Sequence, residues 1–415
     1  MKNITAIILA AGRGTRMKSG TPKVLHEILG KPMLSHVIGS LKDAGAGNII
    51  TVVGCGHESV RKAVGGTKFV IQKKLLGSGD AVIQAKKGLG KYNGDILVIC
   101  GDTPLIRAET IKSLIEKHKT SGAAATILTA KMKDPRGYGR IVRDDNKKIL
   151  KITEDLEASL YEAVIGEINS GTYCFKATDL FDALVRVKPD NKKKEVFLTD
   201  VIRILRDKGK HIESVLTEDA FEATGINDRN DLAEAINALK NRILREIMSS
   251  GVTIEDPATT IIYPGVFIGR DTVIHPNTLI ESDVEIGAGC RIGPFARIRR
   301  GVVIGGGAEI GNFVELVRTK IGEKTKVKHH TYLGDTIAGR CVNVGAGTIT
   351  ANFDGKRKNR TVIGDGASIG IGARLVAPVK IGRRATVGAG CVVPKGHDVP
   401  AGATVVGVPA KILKK

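Results

Sequence analysis

Tryptophan is absent from this chain of 415 residues, aromatic residues make up only 4% of it, and cysteine occurs six times. The cysteines (Cys55, Cys100, Cys174, Cys290, Cys341 and Cys391) are scattered, with no C-x-x-C pair. That pattern excludes a disulfide-stapled scaffold, argues against a structural zinc site and fits free thiols in a reducing compartment. Long apolar runs are missing too, since no segment approaches the ~20 residues that a membrane span requires. The apolar stretch behind Met1-Lys2-Asn3 runs straight into Gly12-Arg13-Gly14, which suits a buried strand feeding a loop better than a signal peptide. A soluble, cytoplasmic protein without membrane insertion is expected. Acidic residues number 43 against 64 Lys and Arg, a net charge of +21. The basic residues are spread along the chain, with short clusters at Lys192-Lys193-Lys194 and Lys356-Arg357-Lys358 and no aromatic interleaving. Small anionic substrates, not nucleic acid, are the expected partners.

Glycine, in contrast, is abundant, and a six-residue beat governs the second half. An aliphatic residue returns at Ile262, Ile268, Ile274, Ile280, Ile286, Ile292, Ile298, Ile304, Ile310 and Leu316. Neither a helix nor an ordinary strand has this period. A left-handed parallel β-helix does, because each hexapeptide forms one face of a triangular coil and turns one aliphatic side chain inward. Gly follows several of these residues, as at Ile268-Gly269 and Ile286-Gly287, where a bend at a corner is expected. The beat stumbles near Lys320, fails between about Gly339 and Arg360, and resumes at Ile363, Ile369, Leu375, Ile381, Val387 and Val393. In a repetitive solenoid the irregular stretch is where function is sought.

The first half alternates strand-like and helix-like stretches, the pattern of an α/β domain with a largely parallel, Rossmann-like sheet. Residues 5–10, 49–53 and 96–100 read as buried strands, and 33–44, 80–89 and 109–118 as helices. Leu232, Ile236, Leu239, Ile243 and Ile247 mark one amphipathic helix, with Asn227 or Asp228 as N-cap and Gly251 ending it. The expected domains are 1–227, a linker helix at 228–250, and a β-helix at 251–415.

The strand Ile7-Ile8-Leu9 opens into Ala10-Ala11-Gly12-Arg13-Gly14-Thr15-Arg16-Met17, with Pro22-Lys23 close behind. Two glycines let backbone N–H groups approach a phosphate while Arg16 and Lys23 bring positive charge. Met17 stands where a dinucleotide fingerprint has its third glycine, so that reading fails. The whole string resembles the signature of the sugar-phosphate nucleotidylyltransferases. The same resemblance covers Gln72 with Leu76-Gly77-Ser78-Gly79-Asp80 as a nucleobase loop, and Gly139, Glu154 and Asn169 as parts of a sugar pocket. It implies that Leu9, Ala10, Ala11, Gly12, Gly14, Gln72, Gly77 and Ser78 contact the nucleotide. Asp102, placed just after a strand, and Asn227 match its two Mg²⁺ ligands.

Over essentially the whole chain the sequence is similar to the bacterial family of bifunctional N-acetylglucosamine-1-phosphate uridylyltransferases/glucosamine-1-phosphate acetyltransferases. The resemblance implies two reactions: N-acetylation of glucosamine-1-phosphate by acetyl-CoA in the β-helix, then uridylyl transfer from UTP to N-acetylglucosamine-1-phosphate in the α/β domain. His329 falls on the family's catalytic base and Glu315 on the carboxylate that orients it. Arg299, Tyr332, Asn343 and Lys358 match residues that hold the sugar phosphate, and Ala346, Asn352 and Phe353 match the coenzyme site. The family assembles as homotrimers with shared acetyl-transfer sites. Three residues depart from the pattern: Leu75 where Gln is usual, Val317 where a phosphate-binding Lys is usual (with Arg318 beside it), and Ile371 for a small polar residue. The chain also stops at Lys415, before the tail that completes the coenzyme site in relatives, and has fewer hexapeptides at the start of the β-helix. Two alternatives compete: a nucleotidylyltransferase whose β-helix serves only trimerisation or regulation, and a non-enzymatic scaffold.

Overall fold

The computed structural model describes residues 4–54, 57–90, 92–189, 191–192 and 194–413. Met1-Lys2-Asn3, Cys55 and Lys193 lie outside the described residues. Two compact units result, residues 1–236 and 237–415.

Unit one is built on a nine-stranded sheet with the path Ile212–Thr217, Ala125–Lys131, Glu167–Lys176, Asp95–Cys100, Ile4–Ala10, Asn48–Val53, Lys68–Ile71. The four strands from Asp95–Cys100 onward run parallel, whereas Glu167–Lys176 runs against both of its neighbours on the path. The near-continuous apolar runs follow from burial on both faces. Ile7, Val52 and Val98 belong to one core layer, and Ile8, Val53 and Ile99 to the other. In register, Leu9 faces Cys100 and Ala10 faces Val53, so the central strands end together. Their carboxyl ends form the rim where open α/β sheets bind ligands. Helices at Met33–Asp43, Ser78–Lys86 and Ala108–Ser121 overlie the predicted ones.

A helix spans Arg229–Ser249. Its expected stripe is one position off at the far end: Leu244 is the buried residue, with Ile243, Ile247 and Met248 partly buried beside it against the β-helix core. Asp228 is its N-cap. The Asp228 Oδ1 accepts from the N–H of Asp231, and Asp231 Oδ2 accepts from the N–H of Asp228. These reciprocal bonds form a capping box that satisfies two orphan donors of the first turn.

Unit two winds as a left-handed parallel β-helix with three sheets of ten, eight and seven short strands. Ile262 pairs with Ile280 and Ile280 with Ile298, so each aliphatic residue stacks on its counterpart one coil later. Each hexapeptide turns two residues inward, not one: the aliphatic residue and a small one two positions earlier, such as Val302 before Ile304 or Ala308 before Ile310. The stumble has a simple cause. Ile304 pairs with Ile321, and Ile321 with Ala338, so two coils are 17 residues long. The beat then continues through Val344 and Thr350, further than expected. Thr350 is legible only in the structure because its hydroxyl is satisfied by the preceding coil, accepting from the Gly334 N–H at 2.8 Å and lying 3.3 Å from the Gly334 carbonyl. A long interruption follows, since Ala338 pairs with Ile363, 25 residues on. The extra residues form a loop at 352–360.

Most glycines after the aliphatic residues serve packing, although Gly293, behind Ile292, does bend at φ 96°. Gly287 has no positive φ, but a Cβ there would lie 2.5 Å from the Gly306 nitrogen in the next coil. No side chain fits that separation.

Candidate active sites

The rim of the parallel sheet carries a cleft of about 650 Å³. Leu9, Ala10, Ala11, Gly12, Gly14, Arg16, Lys23, Gln72, Gly77, Ser78, Asp102 and Asn227 all line it. After the first strand the chain makes a short 3₁₀ turn at Thr15–Met17, anchored by the buried Met17. Gly14 begins that turn with φ 61°, and a Cβ there would lie 2.6 Å from the Lys23 Cβ. Both conditions demand glycine. A Cβ on Gly12 would meet no protein atom, so its backbone borders open space.

Lys23 reaches across Gly14 to the end of the sheet. Its ammonium forms an ion pair with Asp102 Oδ2 and donates to Asn227 Oδ1 at 3.3 Å. Three interactions hold Asn227 in place. Its N–H donates to Asp231 Oδ2 at 2.7 Å, its Nδ2 donates to the Gly225 carbonyl at 3.2 Å, and the neighbouring Ile226 N–H donates to the Asp102 carbonyl at 2.9 Å. The Gly225 bond fixes the amide so that Oδ1 faces the cleft. Two hard oxygens therefore converge on a cation, the donor chemistry that Mg²⁺ prefers. Burial, then the Asp231 and Asp102 carboxylates, pushes the nearby Tyr138 phenol up to about 12. Burial likewise raises the Cys100 thiol to about 12, so it is no nucleophile.

Gln72 is buried, and its Nε2 donates to the Gly77 carbonyl at 3.1 Å and to Asp80 Oδ2 at 2.6 Å. With both amide hydrogens engaged, Oε1 remains as an acceptor. Gly77 is held at φ 107°, where a Cβ would lie 2.5 Å from the Val196 carbonyl oxygen. Gly139, Glu154 and Asn169 do not line the cleft itself. They gather behind it: the Asn169 N–H donates to Gly139 O at 2.8 Å, and Thr199 donates to Glu154 at 2.8 Å. Cys100, a cleft residue, touches Gly171 in the same segment. Two participants were missed from sequence. Glu195 lines the cleft because its segment closes on the Gly77 loop. Asp231 could have been found from the D-x-x-D spacing ahead of an amphipathic helix.

On the β-helix the irregular stretch divides between faces. Glu315 and Tyr332 are register partners on the eight-stranded face, and Arg299 lies 3.5 Å from Glu315. His329 ends a strand of the ten-stranded face, paired with Asn312 and exposed. Ala346 lies one coil further along the same corner, where the Gly347 N–H donates to the His330 carbonyl. Among the described residues no hydrogen bond joins His329 to Glu315. Asn343 stands on the ten-stranded face, away from Arg299, Glu315 and Tyr332. In the 352–360 loop, Asn352 Nδ2 donates to Asp335 Oδ2 at 2.5 Å, and Phe353 bridges to Lys358. Asp335 also takes both arms of Arg318 at 2.6 and 2.8 Å, which hold its carboxyl below the usual range. Arg318 is thus clamped and Val317 is buried. His330 is more than a neighbour of His329: Phe295, Phe313 and His330 stack on successive coils with ring centroids 5.0 and 4.9 Å apart.

Comparison with known proteins bears on both units. Residues 6–203 match the MobA-like NTP transferase domain, and residues 265–300, 283–317 and 360–395 match the bacterial transferase hexapeptide family of six repeats. The "Bifunctional protein GlmU" of Pelobacter propionicus is 42% identical, with 98% of this chain and 96% of that protein covered. The protein of the same name from Geobacillus thermodenitrificans is 44% identical over 99% and 96%, and that of Shouchella clausii 44% over 95% and 94%. The chain belongs to the GlmU family. Membership extends over both halves of the chain and matches the family to which its motifs point. Among the described residues no helix is long and apolar enough to cross a membrane, and the five described cysteines are unpaired.

Proposed function

We infer that this protein makes UDP-N-acetylglucosamine in two steps: acetylation of glucosamine-1-phosphate on the β-helix, and uridylyl transfer in the α/β unit. The observation that carries the reading is the convergence of Lys23, Asp102 and Asn227 on the rim of one cleft floored by the 10–14 loop. A relationship named bifunctional and covering both units leaves the nucleotidylyltransferase-only alternative without support.

In the α/β unit a sugar-1-phosphate oxygen attacks the α-phosphorus of UTP in line, and pyrophosphate leaves. The chain supplies position and charge, not a covalent nucleophile. Arg16 and Lys23 neutralise phosphate oxygens, the Gly12 and Gly14 backbone cradles them, and Gly139, Glu154 and Asn169 seat the sugar. Asp102 and Asn227 would hold Mg²⁺, which supplies charge neutralisation at the phosphates when bound. Gln72 presents its free Oε1 to the base and so favours a ring N–H such as that of uracil. CTP offers an acceptor there, leaving two acceptors opposed at a cost of about 1–3 kcal/mol. Pyrophosphate release with N-acetylglucosamine-1-phosphate should accordingly show kcat/KM for CTP about 10–100-fold below UTP. Equal use of the two would remove Gln72 from base selection.

In the β-helix His329 takes a proton from the sugar amine as the amine attacks the thioester of acetyl-CoA. Glu315 orients it in the substrate complex, where catalytic hydrogen bonds tighten. Arg299, Tyr332 and Lys358 face the sugar phosphate, and Ala346, Asn352 and Phe353 the coenzyme. Asn343 and His329 stand on the ten-stranded face, apart from Arg299, Glu315 and Tyr332, which supports a homotrimer whose sites are completed between subunits. Sedimentation of the full chain should give a trimer at micromolar concentration; a monomer would end the shared-site reading.

A further inference from the structure

We propose that, in the nucleotide-free protein, the Lys23 ammonium is the resident cation of the Asp102–Asn227 oxygen pair, and that a divalent metal gains these oxygens only when a triphosphate draws Lys23 away. This rests on the nucleotidyl-transfer reading of the cleft and adds an order of events to it. The Lys23 Nζ sits on both oxygens at once, in an ion pair with Asp102 and 3.3 Å from Asn227 Oδ1. The Asn227 oxygen is not free to turn aside. Its amide is locked through Nδ2 to the Gly225 carbonyl, and the backbone of Asp102 is tied to the same segment by the Ile226 N–H. The side chain of Lys23 is only 12% exposed, so water does little to screen the contact.

Two cations cannot share this pair of oxygens. A metal arriving alone must displace Lys23 from both oxygens at once. Among the described residues no cluster of three or more His, Cys, Asp or Glu offers a richer metal site. A triphosphate changes both terms. It supplies further oxygen ligands, which Mg²⁺ favours in such sites, and it gives Lys23 a new partner. The stem of Lys23 packs against Gly14 of the phosphate loop, close enough that a Cβ on Gly14 would overlap it. The ammonium therefore exchanges Asp102 for phosphate oxygens by moving its tip while its stem stays packed. Metal and nucleotide then bind with positive coupling, each raising the affinity for the other by the same factor.

The test is a Mn²⁺ titration of the full chain without nucleotide, with free Mn²⁺ read by electron paramagnetic resonance. Lys23→Met keeps the stem and removes the charge. It should bind Mn²⁺ about 10–100-fold more tightly than the unmodified protein, the worth of one charge-assisted contact. Lys23→Arg should stay as weak as the unmodified protein, and a non-hydrolysable UTP analogue should tighten binding more in the unmodified protein than in Lys23→Met. Adding Asp102→Ala to Lys23→Met should erase the gain. If Lys23→Met melts with a lowered midpoint, Lys23→Gln makes the same comparison. Unchanged Mn²⁺ affinity in the neutral variants, or a gain that survives Asp102→Ala, would overturn the proposal. Absence of pyrophosphate release from the unmodified protein would instead remove the nucleotidyl-transfer reading, and the two failures are read separately.

Discussion

Asp102→Ala is expected to lower pyrophosphate release by about 10³-fold or more at saturating Mg²⁺, because charge stabilisation of several kcal/mol is lost and each ~1.4 kcal/mol is a factor of ten. The carboxylate sits at the carboxyl end of Asp95–Cys100, opposite the end of the first strand, with Lys23 as its partner. Its backbone carbonyl, which accepts from the Ile226 N–H, is untouched by the substitution. The thermal midpoint should move by no more than ~10 °C, since the lysine left behind keeps its bond to Asn227 Oδ1. Pyrophosphate release at a normal rate in the folded variant would take Asp102 out of the metal site.

His329→Ala should cut acetyl transfer to glucosamine-1-phosphate by ~10²–10⁴-fold, the usual worth of a positioned general base. A neutral imidazole suits this proton transfer near neutral pH. The side chain is exposed at the end of the strand Lys326–His329, so its removal leaves the coil core of Val327, Leu333 and Val344 intact. Uridylyl transfer from ready-made N-acetylglucosamine-1-phosphate should be unchanged, because its groups lie in the other unit. His330→Ala should act differently: it removes one end of the Phe295–Phe313–His330 stack. Release of CoA thiol checks both variants. Wild-type rates in His329→Ala would remove the base assignment.

Where the sequence was legible, a periodic or local physical rule wrote the structure into it. The hexapeptide beat gave the β-helix because every sixth side chain must stack on one a coil away. The string from Leu9 to Lys23 gave the cleft floor because Gly14 can be nothing else beside the Lys23 stem. Legibility stopped where long-range packing decides. The letters place the failure of the beat between about Gly339 and Arg360, but Val344 and Thr350 still occupy inside positions. A threonine whose hydroxyl is satisfied by the neighbouring coil does not look like a core residue in a string of letters. The capping box that holds Asn227 is half legible, since the helix pattern offers Asn227 or Asp228 as N-cap but does not point to Asp231 as the reciprocal partner. Glu195 is invisible in sequence because only the closure of its segment on Gly77 brings it to the cleft. The division of the acetyl-transfer residues between two faces follows from coil register, which two shortened coils had shifted. Motif order alone carries no information on which face a residue occupies.

The central claim, that one chain performs both reactions in sequence, is tested by supplying the purified protein with glucosamine-1-phosphate, acetyl-CoA and UTP together and with each omitted in turn, and following CoA thiol, pyrophosphate and nucleotide sugar. UDP-N-acetylglucosamine should form only in the complete mixture, and N-acetylglucosamine-1-phosphate should make acetyl-CoA dispensable. Pyrophosphate release from ready-made N-acetylglucosamine-1-phosphate with no CoA thiol from glucosamine-1-phosphate would contradict the account and leave the β-helix without chemistry.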